Sequence, residues 1–160
     1  MPTDQGVERD WDDLTPAEIT KISAWHVSEL EKDPNTPLWQ MGGMENIVLY
    51  TKGRKSGEER KVALPIWQDA TGNSIVVASF QGAEHDPAWF LNIRDRGDPL
   101  ITVLAQNGLH DVEPQILTGD DYSETWAALT ADRSWYEDYQ KQAGDRQIPL
   151  VRLVEVAQVG

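Results

Sequence analysis

The chain of 160 residues contains no cysteine, which excludes disulfide bridges, thiolate nucleophiles and cysteine-ligated zinc or iron–sulfur sites. Its three histidines, His26, His85 and His110, lie far apart and lack metal-ligand spacing, so we expect no metal site. The sequence also lacks an apolar run of about 18 residues and a signal-peptide pattern. Nothing in the sequence therefore marks secretion or a membrane span, and we predict a cytoplasmic protein.

Positive charge is scarce as well, with 14 Lys and Arg against 27 Asp and Glu, a formal net charge of −13. Phosphate contacts dominate affinity for nucleic acids, so this charge argues against a nucleic-acid partner. The hydrophobic content of 39% and seven tryptophans are enough for one core. We predict a polar N-terminal arm at residues 1–13 and a single domain over residues 14–160.

Basic residues are concentrated in one segment, Lys52–Lys61, where five of ten residues are Lys or Arg and two are Glu. The segment carries a net charge of +3, so the other 150 residues sum to −16. Gly53 and Gly57 permit positive φ angles and a close approach of the backbone to a ligand. Arg54, Lys55, Ser56 and Arg60 add donors suited to phosphate or carboxylate.

Two interpretations of this basic loop stay open from the loop alone: an anion-binding site, or a solvated hairpin turn. The G-x-x-x-x-G-K-[ST] order of a nucleotide-binding P-loop is absent.

The elements along the chain favour an antiparallel sheet over a parallel one. Thr15, Pro16 and Glu18 form a helix-start signal with a capping box, and helical spacing continues to about Asp33. Strands are predicted at 46–52, 60–69, 73–80, 100–105, 109–117 and 148–156. Helices are predicted at 88–95, capped by Asp86-Pro87, and at 119–131, with a helix or turns at 135–143. Short hairpin links without βαβ alternation predict an α+β fold whose six-stranded antiparallel sheet closes as a barrel.

Four motifs in this order resemble the deazaflavin-dependent nitroreductase family, which contains coenzyme F420-dependent quinone and nitro reductases. They are Gly53–Gly57 followed by Arg60, a strand that ends at Ser79, the segment Asp86–Asn92, and Tyr136–Tyr139 with Ile148-Pro149. The similarity covers roughly residues 44–156.

The resemblance implies a split β-barrel related to FMN-binding oxidoreductases, with peripheral helices, that holds coenzyme F420. It implies two groups of site residues. The cofactor-binding residues are Lys52, Arg54, Lys55, Ser56, Gly57, Arg60, Ala78 and Ser79. The catalytic residues are Tyr136, Tyr139 and Ser79.

The function that follows is hydride transfer from reduced coenzyme F420 to a quinone, a nitroaromatic or a related conjugated small molecule. Such chemistry belongs to the cofactor, and the protein orients the reactants and excludes water. The alternative is a non-catalytic protein that binds F420, a flavin or another anionic ligand as carrier or sensor. FMN is the alternative cofactor, and we expect a monomer or a homodimer.

Three departures from the family pattern bear on the site. Phe80 stands where relatives often carry a basic residue, and Arg133 stands at the position of a third pocket aromatic. Ala63-Leu64 replaces the Pro-Leu that usually follows the basic loop.

Overall fold

A computed structural model describes residues 15–158, and the predicted arm at residues 1–13 lies outside them. Within that range the chain forms four α-helices: α1 Pro16–Lys32, α2 Ala88–Arg94, α3 Gly119–Asp132 and α4 Trp135–Ala143. It forms seven strands: β1 Asn46–Lys52, β2 Glu59–Pro65, β3 Trp67–Gln68, β4 Ser74–Val77, β5 Ile101–Ala105, β6 Gly108–Ile116 and β7 Leu150–Gln158. Two 3₁₀ segments, Pro37–Gly43 and Phe80–Gly82, complete these elements.

The first helix begins as its capping signal predicts. The Thr15 side chain accepts a hydrogen bond from the backbone N–H of Glu18, and the Glu18 carboxylate accepts one from the N–H of Thr15. This reciprocal pair satisfies two backbone donors that the first helical turn would otherwise leave unpaired. The helix packs along β2, so it covers an edge strand of the sheet.

The strands form one antiparallel sheet in the order β2-β1-β5-β6-β7-β4-β3. Strands β2 and β3 lie at opposite edges of that order, yet only Ile66 separates them in sequence. The two edges of the sheet must therefore approach each other, and the sheet curls into a half-barrel. The predicted α+β class and antiparallel sheet agree with this architecture.

The predicted count of six strands is wrong, because the single strand predicted at 60–69 is two strands on opposite edges. Pro65 cannot donate to a neighbouring strand, and the chain turns after it. The N–H of Ile66 donates instead to the carbonyl of Glu45 at 2.8 Å. Ile66 itself is buried in the barrel core, so it anchors the corner between the two strands.

Alternating side chains place the core on both faces of the sheet. On β1, Ile47 and Leu49 pack inside the barrel with Phe90 and Ile93 of α2, whereas Val48 faces Leu30 of α1. An outer cluster forms where β4 and β7 pack against α3 and α4. It comprises Ile75, Leu117, Tyr122, Leu129, Tyr136 and Leu150. Helices α1 and α4 are thereby fixed against opposite parts of the curled sheet, and both reach the same cavity.

Candidate active site

The β1–β2 hairpin joins the two groups of predicted site residues. Its register pairs Lys52 with Glu59 beside the basic loop, and Asn46 with Pro65 at the other end. Six residue steps separate these pairs, which corresponds to about 20 Å along the strands. The cationic residues lie at the first end, and Ser79, Tyr136 and Tyr139 lie at the second.

The basic loop is held by its own hydrogen bonds. The N–H of Gly57 donates to the carbonyl of Gly53, and the N–H of Gly53 donates to the carbonyl of Glu58, both at 2.8 Å. Gly57 has a φ of 74°, which favours glycine. A Cβ on Gly53 would lie 2.6 Å from Ser56 Oγ, so a side chain there would displace the serine. The two glycines therefore serve the shape of the loop itself.

The cations of the loop differ in how they are paired. Lys52 forms an ion pair with Asp98 at 3.1 Å, and Arg60 donates to Ser56 Oγ at 3.4 Å and lies 3.9 Å from Glu58. The Ser56 oxygen also accepts from the N–H of Glu58, so its hydroxyl proton is what it can offer a ligand. Exposed pairs of this kind stabilise a protein by only about 0–1 kcal/mol, so a ligand anion can replace them.

A groove of about 670 Å³ lies beside the start of the loop. Lys52, Arg54 and Gly57 line it, together with carboxylates of Asp95 and Asp98. The buried Asn92 of α2 fixes the base of the loop: its Oδ1 accepts from the N–H of Arg54, and its Nδ2 donates to Thr51 Oγ1. Acidic side chains therefore share this groove with the cations, whereas Lys55 and Arg60 are exposed and line neither of the two cavities described here.

At the other end of the hairpin, α1, β2, β4 and α4 enclose a cavity of about 580 Å³. Its apolar wall comes from Ile19, Ile22, Met41, Met44, Leu64, Val77, Phe80 and Trp135. Polar groups reach it from Ser79, Tyr136, Tyr139 and His26. A cavity of this size, mostly apolar with a few polar groups, fits a flat organic ring. The structure thus brings together all three predicted catalytic residues.

The two predicted tyrosines differ in burial. Tyr136 is buried in the outer cluster, and Tyr139 is half-buried, with their ring centroids 6.1 Å apart in an edge-to-face arrangement. Burial raises the pKa of Tyr136, and the positive charge of Arg133 nearby partly offsets this rise. Arg133 itself is not part of the cavity wall.

Ser79 lies in a tight turn and not at the end of a strand. The strand predicted through Phe80 ends at Val77, since Phe80 and Gln81 have φ angles of 45° and 50° that no sheet residue adopts. The left-handed conformation costs about 1–2 kcal/mol for each non-glycine residue. The Gln81 Oε1 atom is also buried without a hydrogen-bond partner among the described residues. This turn is thus the most strained part of the cavity wall.

Arg146 holds this turn, and sequence reasoning missed it. Its guanidinium donates to the carbonyls of Ala78, Ser79 and Ala83 at 2.8–3.0 Å, and to Asp86 Oδ1 at 2.8 Å. The prediction that Asp86 caps α2 is wrong, because that helix has no side-chain cap and the carboxylate pairs with Arg146. More than fifty residues separate the partners, and no local pattern reports such a contact.

Ala78 lies beneath the cavity and is not part of its lining. Its N–H donates to the carbonyl of Pro149, and its own carbonyl accepts from Arg146. The Ala78 backbone is predicted to lie near the cofactor ring, but its N–H and its carbonyl already have hydrogen-bond partners within the protein.

His26 lines the cavity, and sequence reasoning did not assign it to the site either. Its Nε2 lies 2.8 Å from the Leu38 carbonyl, so that nitrogen carries the proton. Burial lowers the pKa of His26, and the bond to Leu38 opposes this only in part. The imidazole is therefore neutral near pH 7. Its helical position beside Ile22 gave no signal that distinguishes it from a core histidine.

Comparison with known proteins agrees with this geometry. The family model described as F420H(2)-dependent quinone reductase matches residues 23–155. The chain is 26% identical over 113 residues to an F420H(2)-dependent quinone reductase of Mycobacterium tuberculosis, an alignment that covers 70% of this chain and 74% of that protein.

Solved structures show the same fold. One F420-H2-dependent reductase is 27% identical with a TM-score of 0.57, and the match covers 68% of this chain and 92% of that one. A second solved structure, described only as a domain-swapped dimer, has the same identity and TM-score, and the match covers 68% of this chain and 78% of that one. Since the family model spans most of the sequence, the chain belongs to the family of F420H(2)-dependent quinone reductases.

Proposed function

We propose that this protein reduces a quinone, or a related conjugated acceptor such as a nitroaromatic, with reduced coenzyme F420 as the donor. The observation that carries the proposal is the cavity, in which Ser79, Tyr136 and Tyr139 meet an apolar wall large enough for a flat ring. The family to which the chain belongs supports the cofactor.

The two ends of the hairpin fit the two chemical parts of a deazaflavin cofactor. The apolar cavity suits the ring, and Lys55, Ser56 and Arg60 offer exposed donors to its anionic tail. Strand β2 connects them, since Arg60 is its second residue and Ala63–Pro65 line the cavity. Lys52, Arg54 and Gly57 would contact the tail from the adjoining groove. In this arrangement Ser79 stands at the ring.

When bound, reduced F420 supplies a hydride, and the protein's own residues supply orientation, a dry site and a proton. Ile22, Met44 and Phe80 exclude water from the cavity, which strengthens every polar contact inside it. A tyrosine hydroxyl is protonated at neutral pH, and burial raises the pKa of Tyr136 further. Because Tyr136 lines the cavity, its hydroxyl is suited to donate a hydrogen bond to the acceptor's carbonyl oxygen.

The further expectations about this chain are proposals of the same kind. The curled sheet is the half-barrel of an FMN-binding type of split barrel, a reading supported by the fold shared with the F420-H2-dependent reductase. We also propose a cytoplasmic protein that acts as a monomer or homodimer on a small-molecule acceptor. No helix within residues 15–158 is long and apolar enough to cross a membrane.

A donor comparison tests the function. The purified protein receives menadione or a nitroaromatic with reduced F420, NADH or NADPH in turn, and donor loss is followed by absorbance. We expect turnover with reduced F420 and negligible rates with the nicotinamides, because the sequence has no dinucleotide-binding fingerprint after a strand. Equal or faster turnover with NADPH would contradict the proposal. Tight binding of F420 without turnover of any acceptor would favour the carrier alternative, and tighter binding of FMN would favour the flavin.

A further inference from the structure

The turn from Ser79 to Gly82 forms one wall of the cavity in a conformation that its residues do not favour. Phe80 and Gln81 are both left-handed, and the buried carboxamide oxygen of Gln81 has no hydrogen-bond partner within residues 15–158. Strained backbone persists only where surrounding contacts determine it, and it concentrates at functional sites. The contacts that hold this turn therefore decide the shape of the site.

One side chain makes three hydrogen bonds to the backbone in and beside the turn. Only about 10% of the Arg146 side chain is exposed, and three of its four hydrogen bonds go to the carbonyls of Ala78, Ser79 and Ala83. The fourth goes to Asp86 and orients the guanidinium. A planar fork can bind the carbonyls of Ala78 and Ser79 through separate nitrogens, whereas a lysine ammonium is a point donor with a different reach.

A second contact fixes the turn against α4. A Cβ on Gly82 would lie 2.7 Å from the Cβ of Gln142 and 2.9 Å from the carbonyl of Tyr139. The turn is thus in direct contact with the helix that carries Tyr136 and Tyr139. Displacement of the turn would alter the position of Ser79 relative to both tyrosines.

We propose that Arg146 is the positioning residue of the reductase site: it holds the strained Ser79–Gly82 turn so that Ser79 and Phe80 meet the bound ring opposite α4. The inference rests on the proposed function and adds to it a residue that lines neither of the two cavities described above. Its contribution is geometric, and a misplacement of about 1 Å at a reacting centre can lower a rate by about 100-fold.

Arg152 provides a matched control within the same fold. It is similarly buried, with 14% of its side chain exposed, and it donates to Asp69 and Asp121 at 2.7–3.0 Å. Its network lies between the β3–β4 turn and α3, away from the cavity residues. Replacement of either arginine by lysine therefore disrupts a buried guanidinium network, but only one of the two networks supports the turn.

The experiment measures F420 dissociation constants by tryptophan fluorescence, and kcat and KM for menadione, in wild type, Arg146→Lys and Arg152→Lys. We expect Arg146→Lys to weaken F420 binding or lower kcat by at least tenfold. Both variants should lower the unfolding midpoint by similar amounts. The F420 dissociation constant and kcat of Arg152→Lys should nevertheless stay within twofold of wild type. Unchanged binding, kcat and KM in a folded Arg146→Lys protein would overturn the inference.

Glycine rescue separates positioning from general stability. Glycine adopts positive φ without strain. Adding Gln81→Gly to Arg146→Lys should therefore improve F420 affinity or kcat at least threefold over Arg146→Lys alone. Adding it to Arg152→Lys should improve neither value. Absence of recovery in the first background would contradict a role through the turn.

If Arg146→Lys does not fold, Asp86→Asn provides the milder test, because it weakens the contact that orients the guanidinium. We then expect a two- to fivefold loss in F420 affinity or kcat, and a folded Asp86→Asn protein with wild-type values would overturn the inference. Wild-type protein that neither binds F420 nor turns over menadione would contradict the proposed function itself, whereas wild-type turnover with unaffected variants would overturn this inference alone.

Discussion

The two ends of the β1–β2 hairpin differ in how exposed their residues are and in the contacts that hold them. At the loop end, Lys55 and Arg60 are exposed, and Arg60 contacts only the nearby Ser56 and Glu58 among the described residues. The shape of the loop depends on backbone hydrogen bonds between Gly53, Gly57 and Glu58. At the cavity end, Tyr136 is buried in a helix–sheet interface.

The difference indicates which property each end controls. Exposed charges act through long-range attraction that salt screens, so they affect affinity and little else. Buried aromatic side chains contribute to folding and to ligand geometry at once, so their removal changes stability and turnover together. A variant at the loop end should be separable from protein stability, whereas a truncation at the cavity end should not.

Truncation of Tyr136 should give the largest effect. Tyr136→Ala removes a buried ring from the cluster formed with Leu129 and Leu150, and we expect a loss of about 3–5 kcal/mol in the free energy of unfolding. Urea titration followed by fluorescence measures it. A loss below about 1 kcal/mol would show that the ring is not packed as the structure has it.

Charge reversal at the loop should come next, with an effect on affinity alone. Arg60→Glu, and similarly Arg54→Glu, should raise the F420 dissociation constant by about one to two decades, since a charge-assisted hydrogen bond contributes about 1.5–3 kcal/mol. The affinity of wild type should also fall as salt rises, and that of the variants less steeply.

Lys32→Glu is the control for this reversal, because Lys32 is an exposed cation paired with Glu29 at the end of α1. It makes the same change in net charge away from the loop. If Lys32→Glu weakened binding as much as Arg60→Glu, the effect would come from net charge and the loop would not be the tail site.

Loss of the tyrosine hydroxyls should affect turnover more than stability. We expect Tyr136→Phe to lower kcat with menadione by about tenfold, within the range of general acid contributions, and to leave the F420 dissociation constant unchanged. Tyr139→Phe should have a smaller effect. Full turnover in both single variants and in the double variant would make the tyrosines packing residues.

The smallest effect concerns pH. Burial lowers the pKa of His26. Below about pH 6.5 this imidazole is therefore protonated in the unfolded chain while it is still neutral in the folded protein. Stability from this group is therefore present above that pH and is lost as pH falls towards the lowered pKa. The loss is about 1.4 kcal/mol for each unit by which the pKa is lowered.

His26→Gln tests this, because the glutamine amide can still donate to the Leu38 carbonyl. The decrease in unfolding free energy between pH 7.5 and pH 5.5 should be smaller in the variant than in wild type. Equal decreases would show that His26 does not contribute to the pH dependence in this range.

Local signals in the sequence predicted the local structure well. The capping box at Thr15, the helix predicted at 119–131 and the helix or turns predicted at 135–143 needed only neighbouring residues. The capping box is present, and both segments are helices. The family, its oxidoreductase activity and its cofactor are confirmed by the family match. The predicted site residues stay predictions, although Ser79, Tyr136 and Tyr139 do share one cavity.

What the sequence could not show depends on distant contacts. The break at Ile66 follows from closure of the sheet, and the pairing of Asp86 with Arg146 joins segments about sixty residues apart. Similarly, the left-handed Phe80 looks like the last residue of a β-branched strand until the loop beyond it is placed. Separation of the basic loop from the tyrosines needed the register of β1 and β2.

The pairing of β4 has a consequence for how the protein is made. Apart from its two-residue pairing with β3, β4 pairs only with β7 in the described part of the chain, Ser74 opposite Leu153 and Val77 opposite Leu150. Residues 78–149 must therefore leave the ribosome before the strand that joins β4 to the rest of the sheet can dock. Such late, long-range closure predicts slow folding. Because Val77 and Ser79 belong to the cavity wall next to this pairing, we expect ligand binding to distinguish chains that include β7 from shorter ones that lack it.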